Sequence, residues 1–144
     1  MRLPTIAITM GDAAGIGPEI IMKALAVPGV HVICKALVIG DAERLRLAGQ
    51  RVASRLRVVS REHALSAQFA NGTVECLDLG LVPADLPFGR VSPIAGEAAF
   101  RYIERAVRVV AAGEAQAICT APLSKEALHA AGHRYPGTPS CSRR

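Results

Sequence analysis

The feature that most constrains the fold is a repeated order of short apolar runs, each closed by a turn and followed by a helix-like segment. The run Thr5–Thr9 stops at a glycine-rich turn, and a helix is predicted to begin near Pro18. Proline suits the first turn of a helix because the amide it lacks would have no partner there. A second run, 36–39, is followed by Asp41, which is placed to cap the next helix.

Three further apolar runs, 56–59, 73–77 and 115–121, are also predicted to be strands, the last of them buried. The stretch from Gly80 to Pro93 is punctuated by proline and glycine, which predicts a surface loop. Strands that alternate with helices imply an α/β fold, with a mostly parallel sheet and helices on both faces.

The longest helix is predicted over 95–112, with a last helix running from a Ser124 cap to Gly132. The residues expected on the apolar face of the long helix are Ala99, Ile103, Ala106, Val107 and Val110. Its opposite face carries the charged residues Arg101, Glu104, Arg105 and Arg108. We interpret those arginines as a solvated face.

Composition narrows the class of protein. A chain of 144 residues that is 51% hydrophobic can bury a core as one domain. The net charge of +5 is spread along the chain, and the few aromatic residues lie outside any basic cluster, so nucleic acid binding is not expected. The four cysteines show no C-x-x-C pair, and no apolar run approaches the roughly 20 residues that span a bilayer. We expect a soluble, cytoplasmic protein without a membrane partner.

The segment 10–19, with the sequence MGDAAGIGPE, carries the most chemistry. Its glycines allow a tight turn and close approach to a ligand, and the following helix points its free amides at an anion or sugar-phosphate. The spacing fits neither nucleotide fingerprint, and a plain strand-to-helix turn is the alternative. Acidic residues beyond a strand's carboxyl end favour a site, although Glu19 also suits the helix dipole. The candidate cofactor-binding or cleft-lining residues are Gly11, Asp12, Gly15, Gly17 and Glu19.

Lys125 follows the last predicted strand and is a candidate substrate-binding residue, because a cation there suits a phosphate or carboxylate. A plain lysine at a helix N-terminus fits the sequence equally well. His129 and His133 have the i, i+4 spacing of metal ligands on one helical face, but no third ligand lies nearby. We interpret them as a partly exposed helix pair and assign no catalytic or metal-binding residue.

Two segments resemble the 4-hydroxythreonine-4-phosphate dehydrogenase family, which includes 4-phospho-D-threonate and 4-phospho-D-erythronate dehydrogenases. Residues 9–21, TMGDAAGIGPEII, are similar to the family's opening, with Ala13 where proline is usual. Residues 120–137, TAPLSKEALHAAGHRYPG, form the second match, with Ser124 where asparagine is more common. The resemblance extends from about Pro4 to Gly137.

The resemblance implies an isocitrate-dehydrogenase-like fold, incomplete in this chain, a homodimer, NAD, and a divalent metal such as zinc, magnesium or cobalt. The implied reaction oxidises and decarboxylates a phosphorylated hydroxy acid, either 4-phosphohydroxy-L-threonine of pyridoxine biosynthesis or 4-phospho-D-threonate. The run 125–129 looks more like the second branch. A non-catalytic α/β module that binds an anion or nucleotide is the alternative.

The resemblance stops after Gly137, where the family continues His-Thr-Glu and this chain reads TPSCSRR over 138–144. Deleting one C from codons for Gly-His-Thr-Glu-Leu-Leu-Ala yields Gly-Thr-Pro-Ser-Cys-Ser-Arg, which predicts a shifted reading frame. We therefore expect 1–137 to be the N-terminal portion of an α/β dehydrogenase and 138–144 to be a non-family tail. The family's metal-binding histidines and later substrate contacts lie beyond this point, so the chain is expected to be inactive by itself.

Overall fold

A computed structural model of the chain, which describes residues 2–134, has one five-stranded sheet in the order β3-β4-β2-β1-β5. All neighbouring strands pair in parallel. The strands are β1 (Thr5–Thr9), β2 (Lys35–Gly40), β3 (Arg57–Arg61), β4 (Thr73–Asp78) and β5 (Ala117–Thr120). The helices are α1 (Gly17–Ala24), α2 (Pro28–Ile33), α3 (Ala42–Arg51), α4 (Pro93–Ala111) and α5 (Lys125–Ala130), with a short 3-10 turn at Ala64–Ser66. The predicted α/β class with a parallel sheet is confirmed.

The core lies on both sides of the central strands. Leu37, Val38 and Ile39 in β2 are all fully buried, as expected of a parallel strand covered on both faces. The crossovers after β1 and β2 run in one direction across the sheet and the crossover from β4 to β5 runs back. Since such crossovers are right-handed, α1 and α3 cover one face and α4 the other. The sequence analysis did not predict α2, a six-residue helix without a buried residue.

The strand β5 corrects one prediction. The run 115–121 was expected to be a buried strand, yet every residue of β5 is exposed, and only the flanking Ala115 and Ala121 are buried. The reason is its position: β5 lies at the end of the strand order and pairs only with β1 among the described residues. An apolar run predicts a strand but does not show how many neighbours cover it.

The buried face of α4 also differs from the predicted one. Val107, expected in the core, is 53% exposed. The residues that the helix buries are Ala95, Gly96, Ala98, Ala99, Tyr102, Ala106 and Val109. Tyr102 belongs to this buried face, and its hydroxyl donates a buried hydrogen bond of 2.9 Å to Oδ1 of Asp41. Arg101 and Arg108 form surface pairs with Glu97 and Glu104, in agreement with a solvated face.

Of the two helix caps predicted from the sequence, one is confirmed and the other is wrong. The Ser124 hydroxyl accepts a hydrogen bond from the Ala127 amide at 3.1 Å and caps α5 as predicted. Asp41 occupies the N-cap position of α3 but makes no capping bond. Its carboxylate is turned toward Tyr102 and the amide of Val82, and the Ala42 amide donates instead to Asp78. None of the helices within residues 2–134 has the length and apolarity to cross a membrane.

Candidate functional site

The glycine-rich turn, residues 10–17, and the segment 121–124 meet at the carboxyl ends of the adjacent parallel strands β1 and β5. The amide of Asp12 donates to the carbonyl of Pro122 at 3.0 Å and holds the two segments together. Open α/β sheets place their ligand sites at this edge. The structure therefore brings the turn close to the segment that leads into Lys125.

Two glycines of the turn are required by close packing. Gly11 has a φ of +71°, and a Cβ on it would clash with the backbone carbonyl of Pro122. A Cβ on Gly17 would clash with the carbonyl of Met10. At Gly15 the atoms nearest to a Cβ would belong to the side chain of Asp12, with Oδ2 at 3.1 Å. Backbone packing alone is thus sufficient to require Gly11 and Gly17.

The acidic residues of the turn have structural partners. Oδ1 of Asp12 accepts a hydrogen bond of 3.0 Å from the Ala14 amide and stabilises the turn locally. Glu19 lies in the first turn of α1, and its carboxylate pairs with the guanidinium of Arg51 at 3.1 Å. Glu19 therefore connects α1 to the end of α3, in addition to complementing the dipole of α1.

Two features of the described residues at this edge suit an anion: the start of α1 and Lys125. The N-cap of α1 is Ile16, which is 60% exposed and provides no side-chain cap. The amides of the first turn of α1 therefore have no side-chain cap, which suits an anion. Lys125 is the first residue of α5 and is exposed.

The sequence analysis missed Arg44, a fully buried side chain of α3 behind the glycine-rich turn. Its Nη2 donates to the carbonyl of Ala13 at 2.8 Å, and its Nη1 donates to the carbonyl of Leu86 at 2.8 Å. Its guanidinium also lies over the ring of Phe88, 3.8 Å from the centroid. Burial lowers the pKa of Arg44 from its ordinary value. Nothing in the local sequence distinguishes this arginine from the exposed ones.

The histidine pair predicted on one helix face is not such a pair. Only His129 belongs to α5, whereas His133 follows its end and places Nε2 2.5 Å from Oε2 of Glu97. The His133 ring also stacks on Phe100 with centroids 4.0 Å apart. The hydrogen bond from His133, with a second from Arg101, lowers the pKa of Glu97. Within residues 2–134, no three histidine, cysteine, aspartate or glutamate side chains are grouped as metal ligands would be.

Comparisons with known proteins give one consistent result. The family model described as pyridoxal phosphate biosynthetic protein PdxA matches residues 32–142. The chain is 56% identical to a D-threonate 4-phosphate dehydrogenase of Cupriavidus necator, over 94% of this chain and 40% of the relative. It is 43% identical to a 4-hydroxythreonine-4-phosphate dehydrogenase of Trichlorobacter lovleyi, over 93% of this chain and 40% of the relative.

Solved structures agree with these sequence matches. A 4-hydroxythreonine-4-phosphate dehydrogenase from Burkholderia phymatum superimposes with a TM-score of 0.93 at 55% identity, covering 95% of this chain and 42% of that one. The enzyme of that name from Klebsiella pneumoniae gives a TM-score of 0.86 at 42% identity, covering 94% of this chain and 41% of that one. The chain thus spans about two fifths of the length of these relatives.

Proposed function

Because the chain belongs to the PdxA family of pyridoxal phosphate biosynthetic proteins, we propose that it forms the glycine-rich part of a dehydrogenase site for a phosphorylated hydroxy acid. The family resemblance identified from the sequence is confirmed. The observation that carries the proposal is the 56% identity to a D-threonate 4-phosphate dehydrogenase over nearly the whole of this chain. The position of the turn at the carboxyl edge of the sheet supports it.

Of the two substrates implied by the family, we favour 4-phospho-D-threonate over 4-phosphohydroxy-L-threonine. Among the curated relatives, the one named for the first is 56% identical to this chain and the one named for the second is 43% identical. A solved structure named for the second is 55% identical, so the preference rests also on the run 125–129, which looks more like the first branch. In the proposed reaction the secondary alcohol at C3, one carbon removed from the carbon that bears the carboxylate, is oxidised, and the resulting 3-keto acid loses carbon dioxide. NAD, when bound, accepts the hydride.

In this proposal the chain's own residues bind and orient the anionic parts of the substrate. The uncapped first turn of α1 and Lys125, the first residue of α5, both follow strands that end at this edge of the sheet, and both suit a phosphate or carboxylate. The bond between Asp12 and Pro122 fixes the backbone between them. We assign Lys125 to substrate binding and the glycine-rich turn to the wall of the cleft.

The metal that the family resemblance implies does not fit the described residues. His133 is taken up by Glu97 and Phe100, and Nε2 of His31 is bonded to the carbonyl of Leu25 at 2.6 Å. No group of three candidate ligands exists among residues 2–134. We therefore assign no step of the reaction to a metal on this part of the chain, and we propose that these residues alone do not complete the reaction.

A chimera tests the proposed function. Residues 1–137 of this chain are fused to the remaining three fifths of the Cupriavidus necator relative, and NADH formation is followed with each substrate and zinc, magnesium or cobalt. We expect turnover of 4-phospho-D-threonate by the chimera and none by the 144-residue chain. In the chimera, Lys125→Met is expected to raise KM, whereas Lys23→Met, at the far end of α1, leaves KM unchanged. A folded chimera that oxidises neither substrate contradicts the proposal.

The same material tests the alternative of a non-catalytic anion- or nucleotide-binding module, for which the uncapped start of α1 is the observation in favour. Calorimetry of the chain with NAD and with 4-phospho-D-threonate distinguishes the two. Saturable heat together with an inactive chimera supports the module. Light scattering of the active chimera then measures whether it forms the homodimer that the family resemblance implies.

A further inference from the structure

Among the cationic side chains of the described residues, that of Arg44 is unusual because it is fully buried. It also forms no salt bridge with a carboxylate. Burying a charge costs several kcal/mol, on the order of what a small domain's net stability supplies, unless hydrogen bonds satisfy it. A buried cation with no carboxylate within salt-bridge distance therefore needs a set of well-placed hydrogen-bond acceptors.

The acceptors come from two segments that are far apart in the sequence. From the glycine-rich turn, the carbonyl of Ala13 accepts hydrogen bonds from Nε at 3.2 Å and from Nη2 at 2.8 Å. From the β4–α4 loop, residues 79–92, the carbonyls of Ala84 and Leu86 accept from Nη1 at 3.2 and 2.8 Å. One planar guanidinium thus connects both segments to α3.

Two further contacts strengthen this connection. The ring of Phe88 in the β4–α4 loop contacts the guanidinium of Arg44 at 3.8 Å and that of Arg51 at 4.6 Å, measured to the ring centroid. The amide of Gly89 donates to the carbonyl of Ala14 at 2.7 Å. The loop therefore lies directly against the turn, and Arg51 extends the contact to α1 through Glu19.

We infer that Arg44 is a positioning residue that holds the glycine-rich turn and the β4–α4 loop as one rigid unit, so that the edge of the candidate site has its shape before a ligand arrives. The inference rests on the proposed function only in taking that turn as part of a ligand site. A preformed edge lowers the conformational entropy lost on binding. Lysine cannot replace arginine here, because its single ammonium neither bonds both segments in one plane nor stacks on Phe88 in the same way.

Amide hydrogen exchange followed by NMR tests the inference without any ligand. The reporters are the amides of Gly15, bonded to Asp12, and Gly89, bonded to Ala14. In Arg44→Lys we expect exchange at both reporters to accelerate by about tenfold or more. In the unmodified chain, local opening of the two segments must break the hydrogen bonds of the guanidinium, and in the variant those bonds are absent. Amides of β2 are expected to change far less, which separates local loosening from loss of global stability.

A matched control comes from the same helix. Arg46 also lies on α3, is 43% exposed, and bonds to Glu43 and the carbonyl of Val58 instead of to either segment. Arg46→Met is expected to leave both reporters unchanged. The inference is overturned when Arg44→Lys leaves them unchanged, when only one of the two responds, or when β2 amides accelerate to the same degree.

Chemical rescue adds a second measurement. Arg44→Ala leaves room for the missing group, and ethylguanidinium is expected to restore slow exchange at both reporters where ethylammonium does not. Equal rescue by the two cations contradicts a role that depends on the planar guanidinium. Should Arg44→Ala fail to fold, Arg44→Lys still decides the question. Calorimetry with 4-phospho-D-threonate is read separately, since absence of heat from the unmodified chain counts against the proposed function but not against the exchange result.

Discussion

The glycine-rich turn and the strand β5 are neighbours at one side of the sheet, yet they differ in how they are packed. The turn is held by backbone contacts with Pro122 and by the buried guanidinium of Arg44. The strand β5 is exposed along its whole length, although its sequence is as apolar as that of a core strand. The comparison shows that the burial of a segment depends on which distant segments of the chain pack against it. The local composition of a segment does not identify those partners.

The largest effect is expected where the turn is packed most closely. Gly11→Ala introduces a Cβ at positive φ that clashes with the carbonyl of Pro122. We expect the free energy of unfolding to fall by about 3 kcal/mol, from backbone strain and displacement of the neighbouring segment. Chemical denaturation measures it, with Gly29→Ala in α2 as the control, since a Cβ there meets nothing within 4 Å. A loss at Gly11 no larger than at Gly29 would show that the turn is loose.

A smaller effect is expected from the hydrogen bond between α4 and Asp41. Tyr102→Phe leaves Oδ1 of the buried Asp41 without its 2.9 Å donor. The expected loss is roughly 1 to 3 kcal/mol, because a buried carboxylate oxygen is left unsatisfied. Thermal unfolding measures it, and Val107→Ala on the exposed side of α4 serves as the control, with an expected change within about 0.5 kcal/mol. The reverse order would support the helix face predicted from the sequence.

These residues also show what the sequence can and cannot predict. The strands, the parallel sheet and the Ser124 cap were predictable because they depend on short-range patterns. The sequence placed Asp41 at the N-cap position of α3, but its side chain makes no capping bond. Its bond to Tyr102 was not predictable, because the partner is 61 residues away. Arg44 could not be identified for the same reason: its acceptors belong to two distant segments. The candidate turn was found from its glycines, whereas the contacts that shape it required the fold.

The smallest effect is expected from a substitution in β5. This substitution tests most directly whether β5 is less well packed than the glycine-rich turn. Ile118 is 39% exposed in the described part of the chain, so Ile118→Ala removes less buried surface than truncation of a core residue and should cost about 1 to 2 kcal/mol. Leu37→Ala in the fully buried strand β2 should cost about 2 to 5 kcal/mol. Chemical denaturation of both variants at two protein concentrations gives the ratio of the two losses in unfolding free energy. A loss at Ile118 that approaches the loss at Leu37, and that grows with protein concentration, would mean that another polypeptide surface covers β5 in solution. In that case a contact between chains buries the apolar residues of β5, and the strand is exposed only in the isolated chain.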